Sequence, residues 1–147
     1  MELPHFNPDL VGSEPATVVS FRERIKGSDG VLISSPEYAH GVPGALKNAL
    51  DWIVGSKELV DKPVALLNAS PRASLAQASL TETVTVMSTH VVEEASLRIP
   101  FMGRNLDASG VAGDPELARL LATAIAEFTT AIENSLSNVK RVVESAV

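Results

Sequence analysis

The sequence predicts an open, parallel α/β sheet with helices on both faces. Two observations carry that expectation. Strand and helix signals alternate along the chain, and the strand signals "GVLIS" and "KPVALL" are apolar throughout instead of alternating, as expected of parallel strands buried on both faces. At 147 residues and 45% hydrophobic content, the chain is expected to form a single domain with a core of its own.

Each element has its own justification. From Pro15 to Lys26, Val18, Val19, Phe21, Arg22 and Ile25 fall on one helix face, closed by Gly27. Val31, Leu32 and Ile33 form the first buried strand. Val42, Ala45, Leu46, Ala49, Leu50 and Ile53 recur at helical spacing, and Pro43 suits the first turn because its missing N–H would be unpaired there. "KPVALLNASP", residues 62–71, repeats the pattern of a buried strand, running into a Ser/Pro/Asn turn. Residues 74–89 are ambiguous: Ala76, Leu80, Val84 and Met87 have helical spacing, yet "TETVTV" is β-branched, and the α/β context favours helix. "VVEEASLR", residues 91–98, reads as a third strand, and Pro100 to Gly113 as a loop. The last helix opens at Asp114-Pro115-Glu116, with a cap, a proline and an acid for the dipole. Leu117, Leu120, Leu121, Ala124, Ile125, Phe128 and Ile132 form its core face, and helical spacing continues through Leu136, Val139 and Val143.

Composition excludes several functions. A net charge of −6 argues against general binding to nucleic acid or anionic membrane surface, and a bound phosphate would need local donors. The absence of cysteine removes disulfides, thiolate metal sites and a cysteine nucleophile, and makes the cytoplasm the default compartment. "MELPHFNPDL" lacks the pattern of a signal peptide. Arg119 and Glu127 interrupt the longest apolar-rich segment, which argues against a membrane span.

In an open α/β sheet, ligands bind in the crevice at the carboxyl ends of the strands. "SSPEYAH" follows the first strand there, and "NASPRAS", residues 68–74, follows the second. Two polar, proline-bearing loops therefore face one crevice. Pro36 fixes the chain's exit from the strand, Tyr38 offers a flat apolar surface, and Gly41 and Gly44 allow close backbone approach. Glu37 and His40 are three apart, but their Pro/Gly context favours a loop over a metal-binding helix. His40 is a candidate acid or base, or a residue that orients the loop by hydrogen bonding. No Gly-x-Ser-x-Gly elbow surrounds Ser34, Ser35, Ser70 or Ser74, which read as turn and cap residues. Trp52 reads as core or interface packing, and Lys47, Asn48 and Asp51 as a polar helix face.

The string "SPEYAHGVPGALKNALDW", residues 35–52, resembles the flavin-edge motif of the NADPH-dependent FMN reductase family, flavodoxin-like quinone, azo and chromate reductases among them. "LPHFNPDL" is similar to the segment after that family's second strand, and "KPVALLNASP" to its fourth strand and third flavin loop, so the resemblance covers residues 2 to about 132. It implies a flavodoxin-like three-layer fold and a bound FMN. The implied contacts are Ser35, Pro36, Glu37, Tyr38, Ala39, His40 and Gly41 on one side of the ring and Ala69, Ser70, Pro71 and Arg72 on the other. Arg72 is either a partner for a phosphate of the nicotinamide cofactor or a solvated loop residue. The implied activity is transfer of electrons from NAD(P)H through the flavin to a small-molecule acceptor, with no catalytic side chain required because the flavin carries the chemistry. A homo-oligomer is also implied, with Leu46, Ala49, Leu50 and Ile53 as dimer contacts.

The sequence departs from the family pattern in three places. The family's "GSxRxxSxN" phosphate loop is absent, so the expectation is a domain lacking its first two strands and first helix, with "GVLISS" as an apolar sheet edge. Ala39 stands where many members have Asn, and "SPRAS" lacks the glycine that often follows the proline. The missing loop leaves open a catalytically silent remnant that acts as a dimerisation or interaction module. A serine hydrolase is a third reading, with only scattered serines in its favour.

Overall fold

The computed structural model describes residues 2–68, 74–99 and 106–145. Its sheet has three parallel strands, β1 (Val31–Ser34), β2 (Pro63–Leu67) and β3 (His90–Val91), in the order β1-β2-β3. Val31 pairs with Val64 and Ile33 with Leu66, so these four side chains share one face. Helices α1 (Ala16–Lys26), α2 (Gly44–Val54) and α3 (Ser74–Val86) close that face, bringing Phe21, Ile25, Leu50, Ile53, Leu80 and Val84 onto the strands. Ala65 points to the other face, where Phe128 and Ala131 of α5 (Pro115–Ser145) pack beside Val92 and Ala95. The expected α/β layering with helices on both faces is therefore present.

The long last helix passes close to the chain at Gly30, just before β1. A Cβ built there would lie 2.8 Å from Ile132 Cδ1 and 2.9 Å from Phe128 Cζ, so the missing side chain admits α5. Beyond Ile132 the helix continues, but Leu136 and Val139 are exposed. Ile125 and, on α1, Val19 were expected in the core and are exposed instead.

The ambiguous segment 74–89 is helical as far as Val86. Its threonines fit because Thr81, Thr83 and Thr85 donate their hydroxyls to the carbonyls of Gln77, Ser79 and Thr81, one turn back, at 2.7 to 2.9 Å.

Three expectations are corrected. The strand expected over 91–98 ends at Val91 and gives way to a 3-10 turn at Glu93–Ala95. Val92, Ala95 and Ile99 are buried while Glu93 and Glu94 are exposed, a spacing that suits a turn and not a strand. Ser96 repairs the interrupted ladder: its hydroxyl accepts the Leu66 N–H at 3.0 Å and donates to the Val92 carbonyl at 2.8 Å. Within the expected loop 100–113, the described part contains a short helix α4 (Ala108–Gly113), capped by Asp107. Finally, β1 is not buried on both faces. It is the edge of the described sheet, and Leu32 is 43% exposed.

Candidate functional site

The chain leaves β1 in a straight line before it turns. Ser35 adds one more rung to the β1-β2 ladder, its N–H donating to the Leu67 carbonyl at 3.2 Å. Beyond it Pro36 and Tyr38 form an outward row that runs into the exposed Ala39 and His40, while Ser35 and Glu37 are half-buried. From Ser35 to Tyr38 successive side chains point to opposite sides, as along a strand, and Ala39 and His40 belong to the turn that follows.

Tyr38 and Gly41 close a two-residue hairpin. The Tyr38 N–H donates to the Gly41 carbonyl at 3.1 Å, and the Gly41 N–H donates back to Tyr38 at 2.9 Å. Its two central residues, Ala39 and His40, have φ of 48° and 62°. Positive φ at both positions defines the turn whose twist matches a hairpin, normally filled by Asn and Gly. Ala39 is therefore held in a backbone region that its Cβ disfavours.

Glu37 points away from the outward row. Its Oε2 accepts the Ala76 N–H at 2.8 Å, in the first turn of α3, and its Oε1 lies 3.3 Å from Nδ1 of the exposed His40 ring. Behind it, Ser35, Pro36, Asn68, Ala76, Gln77 and Leu80 line a narrow crevice. Asn68 is buried at the carboxyl end of β2, its N–H donating to the Leu97 carbonyl and its carbonyl accepting from Ile99.

The structure thus gathers Ser35, Pro36, Glu37, Tyr38, Ala39, His40 and Gly41 at the expected end of the sheet. Ala69, Ser70, Pro71 and Arg72 lie outside the described residues. A larger groove of about 730 Å³ lies at the opposite end, where Pro63 and His90 open β2 and β3 beneath Ala131 of α5. The turn is the better candidate because a parallel sheet gathers its ligand-facing loops at the carboxyl ends of the strands.

Residues that sequence reasoning set on a polar face have a structural task. Asn48 accepts the Phe6 N–H at 2.7 Å and donates to the Pro4 carbonyl at 2.9 Å, and Trp52 Nε1 donates to that same carbonyl at 2.8 Å. Phe6 meets the Trp52 ring edge-on at 5.1 Å. Trp52 is buried beneath this strap. Leu50 and Ile53, expected as dimer contacts as well as core, are buried in the chain's own core, and Leu46 and Ala49 are half-buried. Arg22, half-buried on α1, pairs with Glu14 at 2.7 Å and Glu58 at 2.8 Å. Among the described residues, no helix is long and apolar enough to cross a membrane.

A parallel sheet between helical layers, with a closed turn at the carboxyl end of an edge strand, defines a flavodoxin-like α/β domain. The model of one family, NADPH-dependent FMN reductase, matches residues 1–102. The chain belongs to that family.

Among its relatives is an NAD(P)H-dependent FMN reductase of Pseudomonas aeruginosa, 32% identical over 126 residues, which are 81% of this chain and 68% of that protein. An NADH:(hydroxy)cinnamate reductase subunit of Vibrio ruber is 43% identical over 83 residues, 54% of this chain and 41% of that protein. A solved structure, the flavoenzyme NAD(P)H:(acceptor) oxidoreductase FerB from Paracoccus denitrificans, is 33% identical and superposes with a TM-score of 0.78, covering 91% of this chain and 77% of that one. The chain spans less than half the length of the Vibrio relative.

Proposed function

We propose that this chain takes part in FMN-dependent electron transfer from NAD(P)H to a small acceptor such as a flavin, a quinone, an azo compound or a metal oxyanion. The observation that supports this most directly is the exposure of Pro36, just before a closed hairpin at the carboxyl end of β1, and of Tyr38 and His40 on that hairpin, in a chain of this family. When bound, FMN supplies the acceptance of hydride and the onward transfer of electrons.

The residues of the turn fit a flat aromatic group. Tyr38 is 67% exposed and offers a planar surface that would exclude water from one edge of the ring. Pro36 and the closed hairpin hold that surface in place without a ligand, so little ordering entropy is lost on binding. Ala69, Ser70, Pro71 and Arg72 are proposed for the opposite side of the ring, on the strength of the resemblance.

Titrating the full chain into FMN, with flavin fluorescence as the signal, tests the reading. Saturable quenching followed by NADPH oxidation is expected, and Tyr38→Ala should raise the Kd about two- to twelvefold, since an aromatic contact contributes about 0.5–1.5 kcal/mol. A folded chain that leaves the fluorescence unchanged would sink the reading. That result would favour a second one, an interaction module, for which the exposed Leu32 on the sheet edge is the supporting observation.

A further inference from the structure

Glu37 touches two elements that are far apart in sequence. One carboxylate oxygen accepts the Ala76 N–H at 2.8 Å across 39 residues of chain, and the other lies 3.3 Å from His40 Nδ1. The two contacts differ in environment. The carboxylate is 12% exposed and Ala76 is buried, whereas the His40 ring is 80% exposed, so water screens the second contact far more than the first. The bond to Ala76 also meets an N–H that has no partner within the helix, at the end where the helix dipole favours a negative charge.

We propose that Glu37 is a positioning residue that holds the 35–41 turn in register with the start of α3. Among the described residues, the backbone of the turn alone does not fix that relation. Its hairpin bonds join Tyr38 and Gly41 to each other, and the last ladder bond, at Ser35, ties the turn to β2. Glu37 supplies the tie to the third element that lines the crevice, where Ala76, Gln77 and Leu80 stand opposite Ser35 and Pro36. The consequence for FMN rests on the functional reading above; the tie itself does not.

Two measurements on the full chain separate them. In the ligand-free protein, amide exchange is followed at Ala76, with Val64 and Leu66 as core references, in Glu37→Asp, Glu37→Ala and Glu37→Gln. Asp is one methylene short and Ala has no acceptor, while Gln keeps a carbonyl oxygen at full reach. Ala76 exchange should quicken about tenfold in the Asp and Ala variants, as for loss of one hydrogen bond to a charged group. It should stay within about threefold of the parent in Gln, with the core references unchanged in all three.

The FMN Kd is then measured on the same proteins. It should rise about tenfold in Glu37→Ala and be restored by Gln. The Ala substitution should also combine non-additively with Tyr38→Ala, because both act on one turn. Unchanged Ala76 exchange in both Asp and Ala variants overturns the tie. An Ala variant that binds FMN within twofold of a binding parent overturns its role in preorganising the site. If the parent binds no FMN, the functional reading falls, and Ala76 exchange alone decides the tie.

Discussion

Replacing Ala39 tests whether the turn is built as described. Ala39 has φ of 48° and an exposed side chain, so a substitution there alters backbone preference with almost no change in packing. An L-residue in the left-handed region loses roughly 1–2 kcal/mol relative to the right-handed one, and Asn recovers part of this through local hydrogen bonding. Ala39→Asn should therefore stabilise the protein by about 0.5–1 kcal/mol. Ala39→Gly removes the Cβ clash of roughly 1–2 kcal/mol but gives back about 0.5–1 kcal/mol through the freer unfolded chain, for a net stabilisation of up to about 1.5 kcal/mol. Ala39→Val adds a β-branched clash and should destabilise by about 1–2 kcal/mol. The order is read from urea midpoints at constant m. Exchange of the Gly41 N–H, which closes the turn on the Tyr38 carbonyl at 2.9 Å, reports the same order locally if the hairpin opens without global unfolding. Val and Asn variants of equal stability, with equal Gly41 exchange, would refute a positive φ at this position. A more stable Asn variant would give a backbone reason for the Asn that many family members carry at this position.

The strap and the α4 cap give two more tests. Asn48→Ala removes two hydrogen bonds to the segment at Pro4 and Phe6 and should cost about 1–3 kcal/mol at about 0.5–1.5 kcal/mol each; a urea midpoint unchanged within error, with an unshifted Trp52 indole N–H resonance, would show that the strap is not docked. The Asp107 carboxylate is held below its ordinary value of 3.8, chiefly by the Gly110 N–H that donates to it at 2.7 Å, and further by the Ser109 hydroxyl. Because the folded value is depressed, the cap's contribution is present above the unfolded value and is lost as pH falls through the folded one. The Gly110 N–H chemical shift should titrate with its inflection below 3.8, and an inflection at or above that value would contradict the cap.

The sequence by itself determined the alternation of strand and helix, the amphipathic face of α2, the buried run of β2 and the start of α5. Each of these is a local pattern: side-chain period and cap chemistry are written within one or two turns of chain. It also determined where the 35–41 turn lies, because a segment that follows a parallel strand begins at the carboxyl end of the sheet. Some misses were local signals read with the wrong period. Val92, Ala95 and Ile99 are spaced for a turn, and Asp107 followed by Ser109 and Gly110 is a cap in what read as loop.

Only the tertiary structure decided which way the polar residues point. Glu37 reaches Ala76 across 39 residues, Trp52 reaches Pro4 across 48, and Ser96 completes the hydrogen bonding of Leu66 across 30. No periodicity encodes these contacts, since each depends on two segments arriving at one place after the core has formed. The edge position of β1 was expected from the resemblance, not from its own residues. The half-exposure of Leu32 shows why: an apolar run records what a strand can bury, whereas what covers it is decided by its neighbours in space.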